Sequence, residues 1–404
     1  MSFTGCQSLF HCHVRFPKDR QGQVIHWLSS IVVVALCLLT QRANAEVFRV
    51  YIGTYTGDGS SSQGIYLCEF DTATGKLTEP RLVAEEANPS FLAIHPSQKF
   101  VFCVNELVEG EGRANARVTA LSVQADGTLK RINSQPTLGG APCHCNVDAT
   151  GKSLLVANYI GGNVIVLPIE ADGTLRPASS NMVHGLENSG DGKKIVSRAH
   201  SVNLSSDNRF AYVADLGLDQ ILVYELDAAK SELRPADPPF TSVHPGGGPR
   251  HFAIHPSGKF AYTNNETTLV ATAFRRDPVD GSLTVIQDIS TLPEAPKPGM
   301  STAECLVHPN GEFLYVSNRG HESIAVFSIE SQTGLLTHVQ NSPTGGKEPR
   351  NFVIDPSGRW ILAENQNSDS IHVLAIDQQT GRLSLTGNSI TVGRPVCIRM
   401  MPVP

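Results

Sequence analysis

From residue 48 onward the chain is written in short apolar runs, each opened by a turn and closed by a polar pair. Phe260-Ala-Tyr-Thr-Asn-Asn265 is one such run, and Pro256-Ser-Gly-Lys259 is the turn before it. HPSQKFVFCVNE (95–106), HPSGKFAYTNNE (255–266), HPNGEFLYVSNR (308–319) and DPSGRWILAENQ (355–366) share the layout. DATGKSLLVANY (148–159) and SSDNRFAYVADL (205–216) follow it more loosely, and YIGTY (51–55) has the shape of one more ending. Aligned on the closing polar position, the column reads Thr54, Asn105, Asn158, Asp215, Asn265, Asn318 and Asn365, at intervals of 51, 53, 57, 50, 53 and 47 residues. Runs this short between glycine-bearing turns predict strands, and no stretch keeps a helical period long enough to compete.

A strand-filled repeat of about 50 residues predicts a propeller. In the copy that starts at residue 249, PRHFAIHP (249–256) reads as the first strand and FAYTNN as the second. TLVATAFRRD (268–277) and SLTVIQDIS (282–290) read as the third and fourth. The turn before the fourth, Asp280-Gly281, recurs as Thr74-Gly75, Asp126-Gly127, Asp172-Gly173 and Thr380-Gly381. The N-terminal segment FRVYIGTY is a second strand with no first, and GRPVCIRMMP (393–402) is a first strand with no second. Paired, they complete one blade and remove two exposed sheet edges. The expected fold is all-β, a seven-bladed β-propeller over residues 46–404 with blade closure by the two chain ends.

Residues 1–45 read as a signal sequence. Arg15, Lys18 and Arg20 precede the apolar run Ile31–Leu39, and Ala43-Asn-Ala45 supplies the small residues of a cleavage site. The run is short for a membrane span. The expectation is export, periplasmic or secreted, after cleavage near Ala45. The whole chain carries −6; the leader holds four basic and one acidic residue, which leaves the remainder at −9. Nothing in that remainder is a basic patch, which argues against nucleic acid as a partner. Its six cysteines, Cys68, Cys103, Cys143, Cys145, Cys305 and Cys397, are scattered. They read as small apolar core residues, with no spacing that demands disulfides.

First strands line the channel of a propeller, and in an antiparallel hairpin the start of one strand lies beside the end of the next. The residues that open first strands and close second strands therefore converge on one channel mouth. The openings are Ser90, Cys143, His200, Arg250, Ala303 and Arg350, followed by His144, His251, Glu304 and Asn351. The closings are Glu106, Tyr159, Asp215, Glu266, Arg319 and Gln366. Arginines there suit an anionic substrate, and Glu or His can move protons. The same residues have structural uses: Asn and Asp satisfy backbone at strand ends, Arg250 and Glu266 pair across a hairpin, and His251 and His255 bond within their blade. Cys143-His144-Cys145 has the look of a ligand set, but strict alternation would turn neighbouring residues to opposite faces, so no metal is expected.

GGGPRHFAIHPSGKFAYTNNE, APCHCNVDATGKSLLVANY, AHSVNLSSDNRFAYVADLGLDQ and LYVSNRGHESIAVF resemble the seven-bladed lactonase family, over about residues 48–400. That family holds the propeller-type 6-phosphogluconolactonases and the fungal 3-carboxy-cis,cis-muconate cyclases. The resemblance implies catalytic roles for His200, Arg250, Glu266 and Arg319, and no cofactor. It leaves His144, His251, Glu106 and Asp215 as substrate-binding candidates from the hairpin reading. Members commonly have His-x-His where this chain has Arg198-Ala199-His200. The implied activity is hydrolysis of a sugar-acid lactone by water attack at the channel mouth, with Glu266 or His200 as base. A muconate-type cycloisomerase and a non-enzymatic exported ligand-binding propeller are the alternatives, and the partner in each case is a small lactone or carboxylate. The leader carries its own prediction: intact-mass measurement of the exported protein should give a chain starting near Glu46, and a mass that retains residues 1–45 would exclude cleavage.

Overall fold

The computed structural model describes residues 46–403 except 58, 108–115, 186 and 189–193. The expected signal sequence thus lies outside the described residues, as does most of a polar stretch just before Arg198, Gly190-Asp-Gly-Lys-Lys194. Among those described, antiparallel sheets form seven blades, and the connections run strand to neighbouring strand. In the blade that starts at residue 249, the order is Pro249–Ile254, Phe260–Asn265, Val270–Arg276 and Leu283–Ser290 from the inside outward. The other inner strands are Leu92–Ile94, Pro142–Val147, Ala199–Leu204, Ser301–Val307, Pro349–Ile354 and Pro395–Pro402. Helical structure among the described residues is one 3-10 turn, Gln366–Ser368.

The two chain ends share a sheet. Pro395–Pro402 pairs with Val47–Thr54 from Phe48 opposite Pro402 to Gly53 opposite Cys397, and Gly64–Asp71 continues outward. The second strands are the most deeply buried part of every blade, because a blade lies against each of their faces. Phe260–Asn265 and Phe313–Arg319 are buried throughout. All six cysteines are buried free thiols.

Blades are tied to one another by a repeated device. Tyr212, Tyr262 and Tyr315 donate their hydroxyls to the carbonyls of Gly281, Gly334 and Gly381 in the next blade, at 2.9, 3.0 and 3.0 Å. Tyr51 of the closing blade does the same to Gly127, at 3.0 Å. These hydroxyls are buried, and each bond contributes about 1 kcal/mol net. The turn must be glycine for two reasons. Gly334 has φ +75°, and a Cβ there would come within 2.4 Å of the Phe260 ring. The His of the HPSGK phrase is a second tie: His255 Nε2 lies 2.8 Å from the Gly311 carbonyl and His308 Nε2 2.7 Å from that of Gly358. His255 makes the expected bond within its own blade, Nδ1 to the Ser257 hydroxyl at 2.8 Å, and through Nε2 it reaches the neighbouring blade as well.

Because each blade is held by its neighbours, a break in the ring spreads. A chain ending at Val392 lacks the inner strand of the closing blade and should lose the cooperative melting transition of the intact protein. An unchanged melting temperature would show that the closure contributes nothing.

Candidate active site

A regular ladder would send alternate inner-strand side chains to opposite faces. In six blades the register slips by one residue at the same place. Asn158 faces Pro142 but Ala157 faces His144, Asn265 faces Pro249 but Asn264 faces His251, and Asn365 faces Pro349 but Glu364 faces Asn351. The extra residues are Cys143, Arg250 and Arg350, and by the same slip His200 and Val396. In the remaining case Ala303 and Glu304 together span one partner position. Such a bulge re-aims side chains and is common beside active sites. Neighbours in sequence then both turn to the axis: Arg250 with His251, and Arg350 with Asn351, line one small hollow. Strict alternation, the ground for separating Cys143 from His144, does not hold here. Cys143 lines the channel mouth and His144 the cavity below it.

The mouth is a cavity of about 200 Å³ bounded by Glu106, Cys143, Tyr159, His200, Glu266, Arg319 and Arg350. Glu266 is its centre. One carboxylate oxygen lies 2.9 Å from Arg250 Nε and the other 3.2 Å from Arg319 Nη2, and the two arginines come from different blades. Arg250 Nη1 also donates to the Ala303 carbonyl at 2.6 Å and stands 3.1 Å from His251 Nε2. Arg319 Nη2 donates to the Thr302 carbonyl at 3.1 Å. On the opposite side Arg350 donates to the Tyr55 hydroxyl at 2.8 Å, and Tyr55 donates to Glu106 at 2.8 Å. The His200 ring stands 5.4 Å from that of Tyr159, and its Nδ1 lies 3.8 Å from the Cys143 sulfur. Its Nε2 makes no hydrogen bond to a described residue.

Burial works against ionisation of Glu266, but Arg250, Arg319 and Arg350 outweigh it and hold the carboxyl below its ordinary value. Burial, with Arg350 and Arg319 nearby, lowers Arg250 to about 10. His200 falls well below the ordinary imidazole value, through burial first and then through Arg250 and His251. At neutral pH it is an uncharged imidazole that can accept a proton. Among the described residues, Glu348 adds a third carboxylate 3.8 Å from Arg319, and Arg198 stands 5.5 Å from the centre of the Tyr159 ring. Arg250, Arg319 and Arg350 thus face Glu106, Glu266 and Glu348.

Below the mouth a second cavity of about 370 Å³ is walled by all seven inner strands. His251 separates the two levels. Its Nδ1 is 2.7 Å from Glu304, whose carboxylate also accepts from Asn351 and from the Cys305 amide at 2.8 Å. His144 packs on Phe91, ring centres 4.1 Å apart, and faces the deeper cavity. Asp215 joins neither cavity. Its side chain is fully buried and accepts from Ser197, from the Arg198, Gly217 and Leu218 amides, and from His184 at 2.7 Å. It serves the strand end, as Asn158 does through Thr137.

So His200, Arg250, Glu266, Arg319 and Glu106 meet at one mouth, His144 and His251 lie just beneath, and Asp215 stands apart. Arg350 and Tyr159, named as an opening and a closing but given no role, belong to the mouth as well. The signal for Arg350 was present, because PRN (349–351) repeats PRH (249–251). Tyr55 had none, since it joins Arg350 across 295 residues. Among the described residues no group of three or more His, Cys, Asp or Glu is arranged to hold a metal ion.

The family model "Lactonase, 7-bladed beta-propeller" matches residues 49–400. A 6-phosphogluconolactonase of Bacillus subtilis is 33% identical over 305 residues, 74% of this chain and 83% of that protein. The solved structure of a periplasmic gluconolactonase from Pseudomonas aeruginosa has TM-score 0.81 and 33% identity, and covers 89% of this chain and all of that one. A putative 6-phosphogluconolactonase from Bacteroides fragilis has TM-score 0.79 and 34% identity, with 88% of this chain and 98% of that chain covered. With its ring, its mouth residues and these likenesses in agreement, the chain belongs to the seven-bladed β-propeller lactonases.

Proposed function

We propose that this lactonase hydrolyses an unphosphorylated sugar-acid lactone outside the cytoplasm. The observation that carries the reading is the clamp of Glu266 between Arg250 and Arg319, facing a neutral His200 across a cavity that admits one small sugar ring. Water attacks the lactone carbonyl carbon and passes a proton to His200 Nε2. The carbonyl oxygen becomes an oxyanion that the guanidinium groups stabilise. Collapse breaks the ring C–O bond, the leaving oxygen takes the proton back from His200, and the product is a hydroxy acid. Glu266, already committed to two arginines and held ionised, is the poorer proton acceptor, and its part is to set the two guanidinium planes.

The pairing at the mouth supports a neutral substrate, since among the described residues Arg250 and Arg319 are engaged by Glu266 and Glu348, and Arg350 by Tyr55 and through it Glu106, which disfavours a phosphate dianion. Two further facts support the location: the secretory layout of residues 1–45, and the likeness to a gluconolactonase described as periplasmic. Accordingly, kcat/KM for D-glucono-1,5-lactone should exceed that for its 6-phosphate at least tenfold. The reverse order would return the phosphorylated sugar lactone as the substrate.

The base is tested by pH. A base is active unprotonated, so kcat/KM should fall as pH drops through the pKa of His200, which lies below the ordinary 6.5. His200→Gln should abolish that limb and lower kcat by roughly 10²–10⁴, with the melting temperature retained. Glu266→Gln should lower kcat, because the guanidinium planes lose their setting, but leave the limb in place. If Glu266→Gln instead removes the limb while His200→Gln keeps it, Glu266 is the base.

A further inference from the structure

The deeper cavity contains a guanidinium that forms no ion pair with a described carboxylate. Arg399 projects from the inner strand of the closing blade into this space, half-buried, its guanidinium 4.4 Å from the centre of the Phe91 ring. Its Nη1 donates to the carbonyl of the adjacent Ile398 at 2.6 Å, and its other N–H groups bond to no described residue. No described carboxylate lies within ion-pair distance of it. Glu364 is fully buried, and burial drives its carboxyl well above the ordinary value although Arg399 pulls the other way. The carboxylate of Glu304 also faces the cavity, but His251, Asn351 and the Cys305 amide occupy it. A guanidinium held this way in a half-dry channel is costly without a counter-ion.

We propose that this cavity is a second binding site, distinct from the mouth, for a small hydroxycarboxylate anion held by Arg399. A guanidinium fork matches a carboxylate with two parallel hydrogen bonds. Around it the walls change character. Asn146 has no side-chain hydrogen bond to a described residue, and His144 and Asn203 stand on the same lining, so hydroxyl groups find donors and acceptors there. Phe252 and Phe352 supply the apolar remainder. At about 370 Å³ the space is within the range of single-ligand pockets. The site stands on Arg399 and its surroundings and does not require that the mouth be catalytic.

Isothermal titration of residues 46–404 with sodium D-gluconate tests it, alongside lactone turnover. The intact protein should bind at Arg399 even when Arg319→Met has disabled the mouth. Arg399→Met should weaken that binding at least tenfold while turnover stays within twofold. Arg399→Lys keeps the charge without the fork, so it should bind with intermediate affinity, and it decides the matter if the Met variant does not fold. Gluconate binding that is absent in Arg319→Met, or unchanged in both Arg399 variants, would overturn the site.

Discussion

Everything at the axis of this ring depends on one extra residue in six of the seven inner strands. A four-stranded blade without the slip would give the channel one residue of each inner-strand pair and lose the other to the blade interface. The bulge sends both inward. That is how Arg250 reaches Glu266 while His251, its neighbour, reaches Glu304. It is also why two levels of polar side chains fit on strands only six or seven residues long. Repeating the slip at the same height in six blades stacks the levels, so that a mouth lies above a deeper cavity and a layer of imidazoles lies between them. The His251 ring stands 5.5 Å from both His200 and His144.

Placing three arginines so close together creates a second constraint, which the mouth solves with carboxylates. Buried cations repel one another and lose hydration. Glu266 answers by bridging two of them. Arg350 is answered indirectly, by a tyrosine hydroxyl that passes the interaction on to Glu106. The pairing fixes guanidinium orientation, which a site that must meet a developing oxyanion needs before substrate arrives. Among the described residues His200 has no such partner. Its freedom at Nε2 and its lowered basicity have the same cause, a buried place among cations.

Much of the fold was legible because its determinants are local. The polar column from Thr54 to Asn365 and the Asp-Gly or Thr-Gly turns mark second strands and outer hairpins by residue type alone. The half-blades at the ends were readable as an imbalance in strand count. The convergence of His200, Arg250, Glu266 and Arg319 was also legible, from antiparallel geometry applied to aligned repeats. The slip was not, because register belongs to a pair of strands and leaves no mark on either one. Cys143-His144 was therefore assigned to opposite faces. Asp215 was misplaced for a related reason. It occupies the same column as Asn158 and Asn265, whose amides bond backbone carbonyls, and an acidic residue there invited a chemical role. The structure gives it the mirrored task of accepting from backbone amides and His184. His255 does bond locally to Ser257, and what the sequence left unread is its second partner, a carbonyl 56 residues away.

Tyr55 shows why closure and chemistry are hard to separate in this ring. It follows directly on the strand Val47–Thr54, so its position is set by the pairing of that strand with Pro395–Pro402. From there it reaches in both directions, accepting from Arg350 in the blade before and donating to Glu106 in the blade after. Arg350 in turn contributes to the field that holds Glu266 ionised and His200 neutral. A ring left open at this blade would therefore lose more than one sheet. It would free the tyrosine that joins the first and sixth blades across the mouth, and with it the charge arrangement on which His200 depends. In a propeller closed by its two ends, the residue beside the seam is the economical place for such a bridge, because only there do the earliest and latest parts of the chain meet.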